Sequence, residues 1–297
     1  MKLIKPTPMT GAMLLSSTAT ESASAWSSST TYAAGVQVLR LDNIYQSLQA
    51  SNLNKPPESN PTWWARLGPG NRWAMFDDQV STQTKQATGP LVVSLATGAM
   101  DALAVLGVDA DSVRLVVKDG AAGPTVYDQA QGMAAEAVVS WYDYFFNDPN
   151  YRRTQALFKD IPLFGSSVAT LTFASGSPVK VGHVAFGRLK SLGALRYGVR
   201  AGIKDFSRKD TDDFGNTTFV RRAYSKYITG TLEVEKVDLN QVQNLLSTLR
   251  ATPVVWVGSD DPYYSDTLLV FGFYRDFYSS IDYPTLAIYS LEIEGLI

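Results

Sequence analysis

The chain has 297 residues and no cysteine, so disulfides and thiolate chemistry can contribute neither to its fold nor to its activity. Its formal net charge is −2 and only 18% of its residues are charged, which argues against long-range attraction to nucleic acid. Hydrophobic residues make up 45%, enough for a globular core, and the length favours two or three domains.

The first 25 residues predict an N-terminal arm or linker. Pro6 and Pro8 stand where a signal peptide needs an apolar run, so we expect synthesis in the cytoplasm without a signal peptide. A Ser/Thr/Ala-rich run over 16–25 offers few groups to bury, and we expect neighbouring segments to order it. No apolar stretch reaches the length of a membrane span, so membrane insertion is not expected.

Residues 26–74 predict a small β module that is rich in aromatic side chains. Two short strands are expected at 36–39 and 44–48, between turn-forming residues. Large rings can replace an ordinary core in so short a segment. The candidate carbohydrate- or partner-binding residues are Trp26, Tyr32, Tyr45, Trp63 and Trp64. We expect the first three to lie mainly in the core and one of the tryptophan pair to form an exposed platform, which we assign to Trp64.

Residues 75–195 predict a β-sandwich of jelly-roll type. Short alternating strands recur between glycine and proline breaks, a spacing typical of sandwiches. The stretch Ser112 to Lys118 places Val113, Leu115 and Val117 on one face. Further strands are expected at 91–95, 169–174 and 179–186.

Residues 196–297 predict a C-terminal β-rich α+β domain for assembly, with one helix near 239–250. Asp238 suits the N-cap position and Gln241 follows three residues later, a variant of the capping box. The apolar stripe of this helix consists of Leu239, Val242, Leu245, Leu246 and Leu249. Strands are expected at 229–237, 254–257, 268–273 and 287–293. The fold class is therefore mainly β with one substantial helix.

The residues needed for most catalytic and metal sites are missing. His183 is the only histidine, and its strand pattern indicates a hydrogen-bonded histidine in the core or at a sheet edge. Zinc would need cysteines or more histidines. Two acidic loops, 210–215 and 260–266, suggest calcium only superficially, because Phe214 and Arg221 replace oxygen donors in the first. We therefore expect no enzyme activity, no catalytic residue, no metal and no cofactor.

A glycan-cleaving enzyme needs only two suitably placed carboxylates, so it remains an alternative. Asp143, within Trp141-Tyr142-Asp143-Tyr144-Phe145, is the one carboxylate set among aromatic residues. It suits a loop at a partner surface equally well.

Basic residues gather once, and acidic residues lie among them. The group comprises Lys204, Arg208, Lys209, Arg221, Arg222 and Lys226. Because Asp205, Asp210, Asp212 and Asp213 interrupt it, the pattern indicates an ion-paired loop or a subunit contact rather than a nucleic-acid site.

The order of aromatic residues in 26–64 resembles the chitin-binding type 3 carbohydrate-binding modules of chitinases. The matching elements are Trp26, Tyr32-Ala33-Ala34-Gly35-Val36-Gln37-Val38, a second strand with Tyr45, and the closing Trp63-Trp64. This resemblance implies a compact β fold and binding to a glycan, since a flat ring packs on the C–H face of a sugar. Val36 stands where that class has an acidic residue.

Nearly the whole chain is similar to virion proteins of tailed bacteriophages and prophages. The similarity covers the opening Met-Lys-Leu-Ile, Gly68-Pro69-Gly70-Asn71-Arg72-Trp73-Ala74-Met75-Phe76-Asp77, Asp101-Ala102-Leu103-Ala104-Val105-Leu106-Gly107, and the ending Tyr289-Ser290-Leu291-Glu292-Ile293-Glu294-Gly295-Leu296. The segment Phe206-Ser207-Arg208-Lys209, followed by Asp213-Phe214-Gly215, belongs to it as well. The resemblance implies a structural role in the tail tip, baseplate or fibre-attachment region, in the virion.

Three functions follow as hypotheses. The first is a tail structural protein that forms a ring or other symmetric homo-oligomer with other phage tail proteins and contacts host surface glycan. The second is a stand-alone glycan-binding protein, and the third is a virion glycan-cleaving enzyme. Nucleic acid is not an expected partner.

Overall fold

Strands form most of the regular structure, in accord with the alternating sequence, and the computed structural model confirms the mainly β class. The structure describes residues 1–133, 140–146, 152–176, 178–211, 214–261 and 264–296. The α-helices found among them are α1 Trp141–Phe146, α2 Leu239–Thr248 and α3 Ser265–Leu268. Short 3-10 turns occur at Gly11–Met13, Pro57–Ser59 and Ala74–Phe76.

The strands follow one another along the chain and are numbered in that order. They are β1 Lys2–Pro6, β2 Leu14–Ser17, β3 Ser24–Ala25, β4 Thr31–Tyr32, β5 Gln37–Arg40, β6 Asn43–Ser47, β7 Asn52–Leu53, β8 Trp64–Pro69, β9 Thr84–Gln86, β10 Leu91–Ala96, β11 Ala102–Leu106, β12 Ser112–Asp119, β13 Thr125–Gly132, β14 Gln155–Phe158, β15 Ser167–Ala174, β16 Val179–Val181, β17 His183–Ser191, β18 Ala194–Leu195, β19 Arg200–Asp205, β20 Arg208–Thr211, β21 Thr217–Val220, β22 Tyr224–Glu235, β23 Val254–Val257, β24 Leu269–Ser280 and β25 Leu286–Gly295.

A ten-stranded antiparallel sheet runs through the chain in the order β14-β11-β17-β1-β23-β24-β25-β22-β18, and β19 also pairs with β22. The sheet curls upon itself, because Gln155 of β14 and Lys226 of β22 line the same cavity although their strands lie far apart in the sheet. Its inner face is filled by small and branched side chains such as Ala104 and Val255.

The outer face of this sheet is covered by two different elements. A five-stranded sheet, β13-β12-β15-β10-β2, packs over β11, β14 and β17 and encloses the largest core cluster. Helix α2 covers the later strands, where Val242 and Leu246 contact a core that includes Trp256. The alternation in β12 is confirmed, since Val113, Leu115 and Val117 are buried.

The prediction of an N-terminal arm or linker over residues 1–25 is wrong for β1 and β2, two of the three strands in that segment. Strand β1 lies in the middle of the large sheet and pairs with both β17 and β23. Leu3 and Ile4 are both fully buried because a central strand is covered on its two faces. Strand β2 forms an edge of the five-stranded sheet.

The predicted boundary at 195/196 does not separate two folding units. The ten-stranded sheet combines β11, β14 and β17 from the predicted sandwich, 75–195, with β22 to β25 from the predicted C-terminal domain, 196–297. Strand β1 joins these two groups, so the sandwich and the C-terminal region share one continuous sheet.

The predicted helix is confirmed as α2, Leu239–Thr248, but its predicted cap is wrong. Asp238 occupies the N-cap position, yet its side chain makes no capping hydrogen bond. Its backbone is already in the right-handed helical region, whereas an N-cap side chain normally reaches the helix from an extended residue.

Candidate functional site

The aromatic module is a separate four-stranded sheet, β3-β5-β6-β8, with β4 and β7 paired beside it. Strands β5 and β6 meet at a two-residue turn in which Leu41 and Asp42 both have positive φ, the geometry of a type I′ hairpin. The register places Val38 opposite Tyr45 and Ser47 opposite Trp64.

This register puts three of the five candidate binding residues in the module's core. Tyr32, Tyr45 and Trp64 are buried around Val38. The rings of Tyr32 and Trp64 meet edge to face with centroids 5.3 Å apart. The indole N–H of Trp64 donates to the carbonyl oxygen of Lys55 at 2.8 Å. The assignment of Trp64 as the exposed platform is therefore wrong, because its ring is 3% exposed and its polar atom is satisfied inside the module.

Trp26 and Trp63 lie at the edge of this core and are partly exposed. The Arg40 guanidinium lies 4.8 Å from the Trp26 ring centroid, and the Lys55 ammonium lies 5.8 Å from that of Trp63. Both are cation–π arrangements. A sugar stacking on either of these ring faces would have to displace the cation, so glycan binding by Trp26 or Trp63 stays a prediction.

A second candidate interaction surface could not be predicted from the pattern of apolar residues in the sequence. Residues 197–211 and 214–224 form a projecting two-stranded ribbon, which we call the hairpin arm. It begins before β19, extends through the β20–β21 pair and returns into β22. Every residue of β20 and β21 is exposed.

Several large apolar side chains of the hairpin arm are exposed in the described structure. Tyr197 is 104% exposed, Phe219 73% and Ile203 62%. The other exposed apolar side chains of the arm are Phe206, Phe214, Val220 and Tyr224. Isolated two-stranded ribbons are only marginally stable in water, and several large apolar side chains exposed on one indicate an interaction site.

The basic cluster of the sequence lies largely on this arm and is partly ion-paired. Arg208 contacts Asp210 at 2.7 Å, and Lys204 contacts Glu294 at 3.0 Å. All four groups lie near the surface, so each pair adds little stability. Asp212 and Asp213, which also interrupt the cluster, lie outside the described residues.

Lys226 lies below the arm and lines a cavity of about 260 Å³ with Gln155 and Phe271. Its ammonium donates to the carbonyl oxygen of Asp266 at 2.5 Å. Burial lowers the pKa of Lys226, and the nearby Asp266 charge opposes that effect.

Helix α1 forms a third apolar surface. Trp141, Tyr142, Phe145 and Phe146 are each 67% to 79% exposed. The rings pair along the helix, Trp141 with Phe145 at 6.2 Å and Tyr142 with Phe146 at 4.8 Å. The side chain of Asp143, the carboxylate set among these rings, lies outside the described residues.

His183 is buried, as its strand pattern predicts, but the predicted hydrogen bond is absent. Its side chain is 3% exposed, and neither ring nitrogen has a hydrogen-bond partner among the described residues. The imidazole stacks on Phe271 with centroids 4.2 Å apart. Burial lowers the pKa of His183 to about 4, so the ring is neutral at physiological pH.

The second acidic loop uses its carboxylates in ion pairs. Asp260 accepts hydrogen bonds from Lys159 at 2.8 Å and Lys2 at 2.7 Å, and these bonds hold its pKa at about 2. Asp266 lies 3.9 Å from Arg153. Within the described ranges, no group of three or more acidic or histidine side chains is placed to hold a metal ion.

One groove of about 540 Å³ brings together Glu233, Glu235 and Asp238. Glu233 is paired with Arg196 at 2.8 Å. The described lining of this groove contains no aromatic ring on which a sugar could stack. The groove therefore adds no support to the glycan-cleaving alternative.

No protein-family model and no curated protein matches this chain. One solved structure, titled "X-ray crystal structure of reduced XRCC1 bound to DNA pol beta catalytic domain", is similar over 35% of this chain and 77% of that chain. The sequence identity is 13% and the TM-score is 0.24, so this likeness assigns neither a family nor a function. None of the helices in the described part of the chain is both long and apolar enough to cross a bilayer.

Proposed function

We propose that this protein is a structural subunit of a bacteriophage tail, in the tail tip, baseplate or fibre-attachment region. It works by assembling with copies of itself and with other virion proteins, and the aromatic module makes a further contact with a partner or with host glycan. The observation that carries the assembly role is the hairpin arm, whose aromatic side chains are exposed in the single chain.

Assembly that covers the arm would be favoured because it removes apolar surface from water. Apolar surface removed from water contributes roughly 25 cal/mol per Å². A projecting ribbon that leaves Tyr197, Phe219 and Ile203 in water gains nothing from them until another surface covers them. The wide covered sheet behind the arm anchors it, because β22 pairs with β25 over nine residue pairs. The virion setting comes from the sequence resemblance alone.

The self-association of the purified chain tests the assembly role. Sedimentation velocity over a concentration series should show a discrete multimer. Phe219→Ser should raise the dissociation constant by on the order of tenfold, as expected for loss of an interface aromatic. The matched control is Val237→Ser, since Val237 is 81% exposed but lies outside the arm. A chain that stays monomeric at every concentration and binds a sugar would support the stand-alone glycan-binding alternative instead.

A further inference from the structure

We infer that the cavity beside Lys226 binds a small monocarboxylate with an apolar body. This inference goes beyond the role in assembly and does not depend on it. The cavity lies at one end of the curled sheet, where β11 and β25 end and where β14, β22 and β24 begin.

Most of the buried lining of this cavity is apolar. Leu106, Val270 and Phe271 line it and are each at most 2% exposed. Val80 and Leu296 add apolar side chains that are partly buried. An apolar group that enters the cavity is therefore favoured, because its surface leaves water.

The cavity also reaches solvent, which gives a ligand a way in. Tyr224 lines it and is 51% exposed, whereas Lys226, two residues further along β22, is partly buried. A ligand that passes Tyr224 would thus meet a cation before it reaches the apolar side chains of β24.

Lys226 is the one charged side chain among the described residues that line the cavity. Its ammonium donates to the carbonyl oxygen of Asp266, which uses one of its three donors. The carboxylate of Asp266 lies 3.9 Å from Arg153 instead. Among the described residues, no carboxylate lies within ion-pair distance of Lys226, so the cavity contains a cation that has donors left for an anion.

A bound anion would offset the cost of burying this cation. Burial lowers the pKa of Lys226, because the loss of water disfavours the charged form, and the charge of Asp266 offsets only part of that effect. A carboxylate in contact with the ammonium replaces the lost water with a charge-assisted hydrogen bond.

Gln155 adds a polar group that lacks a partner. Its side-chain oxygen is buried and has no hydrogen-bond partner among the described residues, and its side chain lines the same cavity. Leaving a buried polar atom unpaired is costly, so the site favours a guest that can pair with the amide. The amide can turn to present either its oxygen or its NH2 group, and the NH2 group donates to a carboxylate.

The volume of the cavity limits the size of the ligand. It is about 260 Å³, close to the lower end of small-molecule sites at roughly 300 Å³. At about 30 Å³ for each water-sized group, it has room for roughly nine non-hydrogen atoms. An oligosaccharide or a nucleotide is too large, whereas benzoate has this size and carries both a ring and a carboxylate.

Isothermal titration calorimetry with three probes tests the inference on the full chain. Benzoate is compared with benzyl alcohol, which has the ring but no charge, and with acetate, which has the charge but no ring. Benzoate should bind saturably and more tightly than either by on the order of tenfold, as expected for loss of a charged hydrogen bond or of the apolar body.

Lys226→Met should weaken benzoate binding by on the order of tenfold, because it keeps an apolar stem of similar length and removes the charge. The matched control is Lys236→Met, since Lys236 follows the same strand but is exposed and lies outside the lining of the cavity. Circular dichroism of both variants checks that they fold. If Lys226→Met does not fold, the comparison of the three probes on the parent chain decides alone.

The contrary results are distinct. No saturable binding of benzoate would mean that the cavity holds only water, and equal binding of benzoate and benzyl alcohol would mean an apolar site without anion recognition. Acetate binding as tightly as benzoate, or an unchanged affinity in folded Lys226→Met, would place the anion elsewhere. Each of these results overturns the inference, and none bears on the proposed function, because binding is measured whether or not the chain self-associates.

Discussion

The single histidine makes one stability prediction unusually clear. His183 is buried without a hydrogen-bond partner among the described residues, and its pKa is lowered from 6.5 to about 4. In the unfolded chain the ring takes up a proton below pH 6.5, whereas in the folded chain it does so only near pH 4. The free energy of unfolding is therefore unaffected by this ring above pH 6.5. It falls as the pH is lowered from 6.5 towards 4, because only the unfolded ring takes up a proton in that range.

The size of this loss follows from the pKa difference. One pKa unit corresponds to about 1.4 kcal/mol, so the free energy of unfolding should fall by about 3 kcal/mol between pH 7 and pH 4 through this group alone. Burial raises the pKa of Asp77 and Asp78, so these carboxyls contribute with the opposite sign over the acid end of this interval. A comparison of variants cancels them, because both chains contain them.

Urea unfolding followed by tryptophan fluorescence at pH 7, 5.5 and 4 measures the effect. His183→Phe retains a ring against Phe271, and His183→Leu is a smaller substitute in case the extra volume strains the core. Each variant should lose about 3 kcal/mol less than the parent chain on acidification. Equal losses in the parent and in both variants would refute the account of His183 as a neutral buried ring.

Two further predictions concern the cores. Trp64→Ala should unfold or loosen the aromatic module, at a cost of about 3–5 kcal/mol typical of a buried ring. Trp63→Ala should cost less because its ring is only partly buried. Thermal unfolding of both variants measures the difference. Leu246→Ala should destabilise the chain by about 2–5 kcal/mol, since this side chain is fully buried between α2 and the sheet. Leu245→Ala, at the partly exposed neighbouring position, should cost less in the same urea assay.

Some elements could be predicted from the sequence because their pattern of apolar and polar residues matches their burial in the fold. Strand β12 alternates between buried and outward residues, and α2 repeats apolar residues at helical spacing, so both could be predicted. Strand β1 could not. Its burial comes from pairing with β17 and β23, which are far away in the chain, and Pro6 makes the segment look irregular.

The candidate binding surfaces could also be predicted only in part. The cluster of rings in the module could be predicted from composition, but the choice between Trp63 and Trp64 depends on strand register, because a shift of one residue moves a side chain to the other face. Apart from Val199 and Ala201, which pack against the core at its base, the described part of the hairpin arm has no buried face and therefore no apolar alternation. Its strands are held by pairing across the ribbon, and its basic cluster was the only local indication of a contact surface.

A cryo-electron microscopy map of the assembled protein would show whether a neighbouring copy covers the hairpin arm. We expect a symmetric array in which each arm, residues 197–211 and 214–224, is covered in this way. An assembly in which the arm projects into solvent, with Phe219 as exposed as it is in the single chain, would contradict it.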